Sequence, residues 1–314
     1  MTEESRASKG RIHLIDAFRG VALIAMAIYH FTWDLDYFGY VRSGLSTTGA
    51  WAIFAHLIAG SFLFISGYSL YMAHGRDLRL RSFAKRTGIL IVASIAITIV
   101  SLFTTPEAPI YFGILQSIAA ASIIGLAFMR VPALVSLVVA AIVVVLPHFV
   151  RFHALDPAYL AWIGLADHPP ASNDYVPLFP WFGPFLAGIA ISKLSLQWLR
   201  RQRQLPRKEN LLNLLGRHSL IFYLAHQPIL FGLVFAASTV MPPDQGPAYL
   251  AACQTSCEAT DPAGFCRSYC ACTLSELKGQ GLFTPLMRNE TTEDDAVALN
   301  RIGMMCSSQP PAQE

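Results

Sequence analysis

The sequence predicts an all-α protein, a polytopic membrane bundle of about seven transmembrane helices with a small Cys-rich helical-hairpin tail. The chain of 314 residues is 54% hydrophobic and only 14% charged, with a mean hydropathy of +0.46. Soluble domains average roughly 25% charged residues. Apolar runs near the ~20 residues that cross a ~30 Å hydrocarbon core recur along the chain. All six cysteines lie at or after Cys253.

The apolar runs define seven predicted spans, which follow one another up to Val240. They are Ile15–Trp33, Ala50–Met72, Arg86–Phe103, Ile110–Met129, Val131–Phe149, Phe179–Leu196 and Gly216–Val240. The connection between the fourth and fifth spans is so short that we expect a tight antiparallel hairpin there. The first run ends at Trp33-Asp34 without a small-residue cleavage site, so it is expected to remain as a signal anchor.

The distribution of Lys and Arg predicts the orientation. Basic residues concentrate at the N-terminus and in two loops, and the segments between them carry few. The concentrated residues are Arg6, Lys9, Arg11, Arg76, Arg79, Arg81, Lys85, Arg86, Lys193, Arg200, Arg201, Arg203, Arg207, Lys208 and Arg217. Because basic loops stay inside, we expect the N-terminus in the cytoplasm and the C-terminus outside.

The first span carries four ionisable side chains on one helical face. At about 100° per residue, Asp16 and Asp34 point the same way, and Arg19 and His30 lie roughly 40–60° to one side. Asp16 and Asp34 are about 27 Å apart along the axis. The face therefore extends between the two edges of the membrane.

The two ends of this face suggest different chemistry. Asp16 and Arg19 can pair at one end, where a guanidinium can bind an anion or a phosphate. At the other end Asp34 can hold one imidazole nitrogen of His30 and raise the basicity of the other, as a general base requires. The alternative is an interfacial ion pair and a packed histidine. Ionisable groups inside a membrane are costly and usually functional, which favours a site.

Further polar residues lie within the later spans and are candidates for donor or acceptor binding. They are His56, Gln116, Tyr223, His226 and Gln227. Pro228 frees a backbone carbonyl that His226 or Gln227 could satisfy, so packing and a site role stay open for both. Three more histidines, His148, His153 and His168, are expected to be solvated in or beside an outside loop.

Four motifs occur in a fixed order along the chain. They are Arg11-x4-Asp16-x2-Arg19-Gly20-x5-Met26-x3-His30-Phe31-x-Trp33-Asp34-Leu35, Phe62-Leu63-Phe64-Ile65-Ser66-Gly67, Phe179-Pro180-Trp181-Phe182-Gly183 and Leu215-Gly216-Arg217-His218-Ser219-Leu220-x2-Tyr223-Leu224-x-His226-Gln227-Pro228. Together they resemble bacterial membrane proteins related to the catalytic domain of heparan-α-glucosaminide N-acetyltransferase, within a wider group of transmembrane acyltransferases. The resemblance covers about Arg11 to Val240.

The resemblance implies that an acetyl group from cytoplasmic acetyl-CoA is delivered to a sugar or glycoconjugate across the membrane. It implies that Arg19 contacts the CoA donor. It also implies that His30, oriented by Asp34, deprotonates the acceptor or accepts the acyl group itself. The heparan enzymes have Asn at the position that matches His30, and a first-helix His is more similar to the wider group.

A change of composition after Val240 predicts a boundary between a membrane domain, residues 1–240, and a Cys-rich extracytoplasmic tail, residues 241–314. Two Cys-x3-Cys pairs on short helices can be stapled as a hairpin, leaving two further cysteines. The nested arrangement, one of fifteen, is Cys253–Cys270, Cys257–Cys266 and Cys272–Cys306. A zinc site is the alternative, and an oxidising compartment favours disulfides.

Two other functions stay open from the sequence. Buried His and Asp residues also serve proton relays, so a proton-coupled transporter is possible, although no inverted repeat is apparent. A scaffold acting through the tail is the other alternative. The expected partners are membrane lipids, acyl-CoA and a glycan or glycolipid acceptor, with neither a metal nor a nucleic acid expected.

Overall fold

The computed structural model describes residues 13–202, 211–287 and 290–308, without the side chains of residues 196–202. Several of the basic residues that predict the orientation are therefore not covered. Arg6, Lys9, Arg11, Arg203, Arg207 and Lys208 lie outside the described residues, and the side chains of Arg200 and Arg201 are not described.

Helices are the regular elements of the described chain. They are α1 His13–Tyr37, α2 Gly49–His74, α3 Leu80–Thr104, α4 Ile114–Gly125, α5 Ala133–Val145, α6 Leu178–Gln202, α7 Leu211–Arg217, α8 Ser219–Val240, α9 Gly246–Cys257, α10 Ala263–Gly279, α11 Phe283–Met287 and α12 Glu293–Ser307. Short 3-10 turns extend α4 through Leu126–Phe128 and α5 through Leu146–His148. The predicted all-α class is confirmed.

Five of the described helices are long and apolar enough to cross a membrane, where the sequence predicted about seven. These are α1, α2, α3, the Leu178–Ser195 part of α6, and α8. The fourth and fifth predicted spans form shorter apolar helices instead. One reason is local, because Phe112 bridges to Tyr175 before α4 and the Ile114 N–H donates 3.0 Å to the Asp174 carboxylate. The helix therefore begins later than predicted.

Large apolar side chains remain exposed along the membrane-crossing helices. Leu57 is 66% exposed, Val92 69% and Ile221 68%. A soluble chain rarely leaves so many such groups in water, and a helix that is apolar on its outer face suits a lipid environment. The several apolar helices thus indicate a multi-pass membrane protein.

The described chain packs as two compact units. The first comprises the described residues of Met1–Ile28 and Ala52–His226. The second comprises the described residues of Tyr29–Trp51 and Gln227–Glu314. The units are defined by contacts within the chain. They do not test the predicted domain boundary after residue 240, which stays a prediction.

The core of the first unit lies where α6 packs against α2, α4 and α5. Phe185, Leu186 and Ile189 of α6 are completely buried within it. Two glycines let α2 and α6 approach closely, because a Cβ on Gly67 would collide with the carbonyl oxygen of Phe185, and one on Gly188 with that of Phe64. Such small residues are how membrane helices bring their backbones together.

The tail forms its own small core within the second unit. Leu277, Phe283, Ile302 and Cys306 pack together there. The sulfur atoms join Cys253–Cys270, Cys257–Cys266 and Cys272–Cys306. These are the nested pairs that the spacing suggested, and they leave no thiolate for the alternative zinc site.

Candidate functional site

The first half of α1 carries Arg19 in a fixed position within the first unit. The Arg19 guanidinium donates 2.6 Å to Ser69 Oγ on α2 and 3.4 Å to the Asp16 carboxylate. Asp16 is buried, with a relative accessibility of 6%. Because two groups from different helices hold the guanidinium, its position depends on the packing of α1 against α2 as well as on the expected pairing with Asp16.

Arg19 lines a cavity of about 520 Å³ that lies entirely within the first unit. Its polar wall contains Arg19, Ser66, Ser82, Lys85, Arg86, Ser219 and Tyr223. Its apolar wall contains Phe62, Ile65, Ile89, Leu90, Ile114, Leu115, Ile118 and Leu220. The volume is within the range of ligand sites, and the combination of many apolar groups with a few convergent polar ones is typical of them.

The cavity contains an excess of positive charge. The side chains of Lys85 and Arg86 have no hydrogen bond or ion pair to any residue that the structure describes, and the charge of Arg19 acts on Arg86. The carboxylate of Asp16 contacts Arg19 at 3.4 Å. Like charges repel each other and an anion bound between them would relieve the repulsion, so the arrangement suits a phosphate-bearing ligand.

Lys85 and Arg86 are the residues that the sequence-based site prediction missed. The sequence analysis used them for orientation and treated Arg86 as the first residue of a span. The signal was present, because two adjacent cations stand at the beginning of an apolar helix. In the structure α3 begins at Leu80, so both lie more than one turn inside the helix and on the cavity wall.

Tyr223 is brought to the same cavity by α8, and its binding role stays a prediction. His226 lies one turn further along and is 7% exposed. Its Nδ1 is 2.7 Å from the carbonyl oxygen of Tyr223, and its ring stacks on Phe222. The helix continues through Pro228 as far as Val240. These contacts are compatible with a packed residue, and the site role of His226 stays a prediction.

Asp34 and Gln227 form a buried polar pair in the second unit. Asp34 is completely buried, and its Oδ1 accepts a 2.8 Å hydrogen bond from Gln227 Nε2. The second carboxylate oxygen of Asp34 and the amide oxygen of Gln227 are also buried, and neither has a hydrogen-bond partner among the described residues.

Asp34 was expected to orient His30, but Gln227 is the group that donates to its carboxylate within the described chain. His30 is partly exposed, and its ring lies edge-on to that of Tyr29. The i, i+4 spacing allows a His30–Asp34 contact, but the hydrogen bond that the structure shows on Asp34 comes from Gln227 on another helix to Oδ1, and Oδ2 has no partner among the described residues. The proposed role of His30 as a base therefore does not include a hydrogen bond to Asp34.

Two other candidate residues make contacts of a structural kind. Gln116 Oε1 accepts from the Gly113 N–H at the beginning of α4, and its Nε2 donates 3.0 Å to Thr98 on α3. His56 stacks on Trp181 with ring centroids 5.5 Å apart. Neither residue lines the cavity, and the structure does not bring them together with Arg19.

The comparison with known families gives one match. Residues 11–228 match the family described as heparan-alpha-glucosaminide N-acetyltransferase, catalytic. No curated protein and no solved structure matches the chain significantly. The matched segment contains all four motifs and every residue of the cavity wall. The chain therefore belongs to the heparan-α-glucosaminide N-acetyltransferase catalytic family.

Proposed function

We propose that this protein is a membrane acyltransferase that uses acyl-CoA, with acetyl-CoA as the natural donor, to acylate a sugar or glycoconjugate on the periplasmic side of the inner membrane. The observation that carries the proposal is the cavity where Arg19, Lys85 and Arg86 converge. Family membership supports the reaction class.

The composition of the cavity wall suits the two parts of a CoA thioester. Guanidinium groups bind phosphates through paired, charge-assisted hydrogen bonds, and Lys acts as a further positive charge. The apolar wall provided by Leu90, Leu115 and Ile118 suits the uncharged arm that carries the acyl group. We therefore propose that the phosphates bind near the cations and that the arm lies along the apolar wall.

The proposed transfer breaks one bond and forms one. The acceptor nitrogen or oxygen attacks the thioester carbonyl carbon, the new C–N or C–O bond forms, and the C–S bond breaks. A base takes the proton of the acceptor, which then neutralises the CoA thiolate. We propose His30 as the base, since an imidazole can exchange a proton near neutral pH.

The proposed orientation follows from the charge distribution. Lys85 and Arg86 belong to a basic segment, and basic segments stay on the cytoplasmic side, where CoA thioesters are made. The tail, residues 241–314, is then periplasmic, and an oxidising compartment maintains disulfides such as Cys272–Cys306. We propose that the tail is a separate structural or docking module.

Release of CoA thiol from acetyl-CoA tests the proposal, with the purified protein in nanodiscs and a glucosamine-terminated oligosaccharide as acceptor. All six cysteines are in disulfides, so the protein adds little thiol background. Arg86→Gln should raise the KM for acetyl-CoA about tenfold, as expected when a charged hydrogen bond is lost. Arg81→Gln is the matched control, because Arg81 is a cation of the same helix that does not line the cavity.

A shortened donor makes the test specific for the phosphates. With acetyl-pantetheine, which lacks the nucleotide phosphates, Arg86→Gln and wild type should have the same KM.

His30→Gln should lower kcat and leave the KM for acetyl-CoA unchanged. An unchanged KM in Arg86→Gln removes the cavity as the donor site, and undiminished turnover in His30→Gln removes the base. Proton-coupled sugar uptake into liposomes without CoA release would indicate the transporter instead.

A further inference from the structure

Three potential metal ligands meet in the segment between α5 and α6, outside the membrane-crossing helices. His153, Asp156 and His168 each offer one ligand atom, and these three atoms all lie within 4.8 Å of one another. Asp156 Oδ2 is 2.5 Å from His153 Nδ1 and 3.3 Å from His168 Nδ1. None of the three lines the cavity described above.

The backbone of this segment brings the two histidines together across 15 residues of sequence. The Phe152 N–H donates 2.9 Å to the carbonyl oxygen of Leu165, and Phe152 bridges to Ala166. His153 directly follows Phe152, and His168 lies two positions after Ala166. A 3-10 turn, His153–Leu155, then carries the chain round to Asp156.

A backbone hydrogen bond to one of its oxygens already positions the carboxylate of Asp156. Its Oδ1 accepts a 3.0 Å hydrogen bond from the backbone N–H of His168, which leaves Oδ2 directed at the two imidazoles. Groups that hold a ligand from outside the coordination sphere are a usual part of metal sites. The side chains of His153 and His168 are 83% and 82% exposed, so each can rotate without disturbing a core.

The ligand set indicates which cation fits. Two imidazoles and one carboxylate bind zinc at about 2.0–2.2 Å, and three protein ligands leave a fourth position for water or another group. Calcium and magnesium prefer sets made of oxygen atoms. The imidazoles therefore favour zinc or a similar first-row divalent ion.

We propose that His153, Asp156 and His168 form a site for zinc or a similar divalent transition-metal ion that ties together the segment between α5 and α6. The site is independent of the proposed acyl transfer, because it shares no residue with the cavity. Its fourth position faces solvent and is open to water.

Zinc binding by the untagged, chelator-treated protein in nanodiscs tests the site. Isothermal titration with zinc chloride should give one ion per chain, and His153→Ala and His168→Ala should each weaken binding at least about tenfold, as losses around metal sites do. Asp156→Asn should weaken binding while still accepting the His168 N–H. His148→Ala is the matched control, since His148 is outside the cluster and contacts the carbonyl oxygen of Val145.

Thermal unfolding gives a readout that does not depend on activity. Zinc should raise the Tm of wild type and of His148→Ala, because a ligand that binds the folded state stabilises it. The His153→Ala and His168→Ala variants should match wild type in the presence of chelator and gain nothing from zinc. Equal zinc affinity in wild type and both variants, or no stoichiometric binding by wild type, would overturn the proposal.

Discussion

Gln227 donates a 2.8 Å hydrogen bond from Nε2 to Oδ1 of Asp34, although the two residues are 193 positions apart in the sequence. Asp34 is completely buried. A buried carboxylate is costly unless a donor satisfies it. The pair therefore couples the end of α1 to the part of α8 that begins at Gln227, within the second unit.

Gln227→Leu should be destabilising because it leaves the Asp34 carboxylate buried without its donor. We expect a loss of about 1–3 kcal/mol, seen as a lower Tm in nanodiscs. Asp34→Asn should lose less, because the amide oxygen of Asn still accepts from Gln227. Gln280→Leu, at the exposed residue that follows α10, should change the Tm little. If the double variant Asp34→Asn/Gln227→Leu lost the sum of the two single effects, the two residues would not be coupled.

Ser69 positions the guanidinium of Arg19, so its hydroxyl should affect donor binding. Ser69 Oγ accepts from Arg19 and donates 2.6 Å to the carbonyl oxygen of Ile65. Ser69→Ala should raise the KM for acetyl-CoA several-fold while kcat is retained, measured by CoA release. Ser61→Ala on the same helix removes a hydroxyl bonded to the Ile58 carbonyl oxygen and should have no effect on KM. Equal KM values for the two variants would show that Ser69 does not position Arg19.

Gly188 should not tolerate a larger residue. A Cβ there would meet the carbonyl oxygen of Phe64 and the backbone nitrogen of Tyr68, which cannot move without displacing α2. Overpacking of this kind typically costs about 1–3 kcal/mol, so Gly188→Val should lower the Tm. Gly88→Val on α3 is the control, because nothing lies within 4 Å of a Cβ there. A Tm equal to that of the control would contradict the close approach of α2 and α6.

The stability of the tail should depend on pH through Asp244. The N–H of Gly246, and next the ammonium of Lys278, hold the pKa of Asp244 below its ordinary value of 3.8. A lowered pKa in the folded state means that the carboxylate stabilises folding above pH 3.8. This contribution is lost as the pH falls from 3.8 towards the folded pKa.

In the Asp244→Asn variant, the tail should therefore lose less stability than the wild-type tail as the pH falls. The variant should be least stable relative to wild type near neutral pH. Pulse proteolysis of the tail in the full chain between pH 7 and pH 3, with an acid-stable protease, measures this. Glu258→Gln, an exposed carboxylate of the same tail, serves as the control. Parallel curves for Asp244→Asn and wild type would rule out the contribution.

Reporter fusions can test the proposed orientation. Alkaline phosphatase, which folds only where its disulfides form, should be active when fused after Glu314 and inactive when fused after Arg79. The reason is that Arg79 lies in a basic loop, which is expected to stay in the cytoplasm. The opposite pattern would place the disulfide-bonded tail in the cytoplasm.

Local patterns were enough to predict much of this protein. Hydropathy over about 20 residues identified the five helices of membrane-crossing length, because the hydrocarbon thickness sets their length, although two further predicted spans form shorter helices. The i, i+4 spacing of Cys253–Cys257 and Cys266–Cys270 suggested the nested pairs that the structure forms. The order of four motifs indicated the family that the chain belongs to. Each of these depends on neighbours in the sequence.

The tertiary structure decided the partners of the polar residues. The sequence placed Asp34 beside His30 on one helix, but in the structure a donor from α8 binds Oδ1 of the carboxylate. It treated Lys85 and Arg86 as a topology signal, whereas packing places them with Arg19 around one cavity. Buried polar groups must find partners wherever the fold brings them. Spacing along a helix determines which groups share a face, and only the packing of one helix against another determines which groups meet.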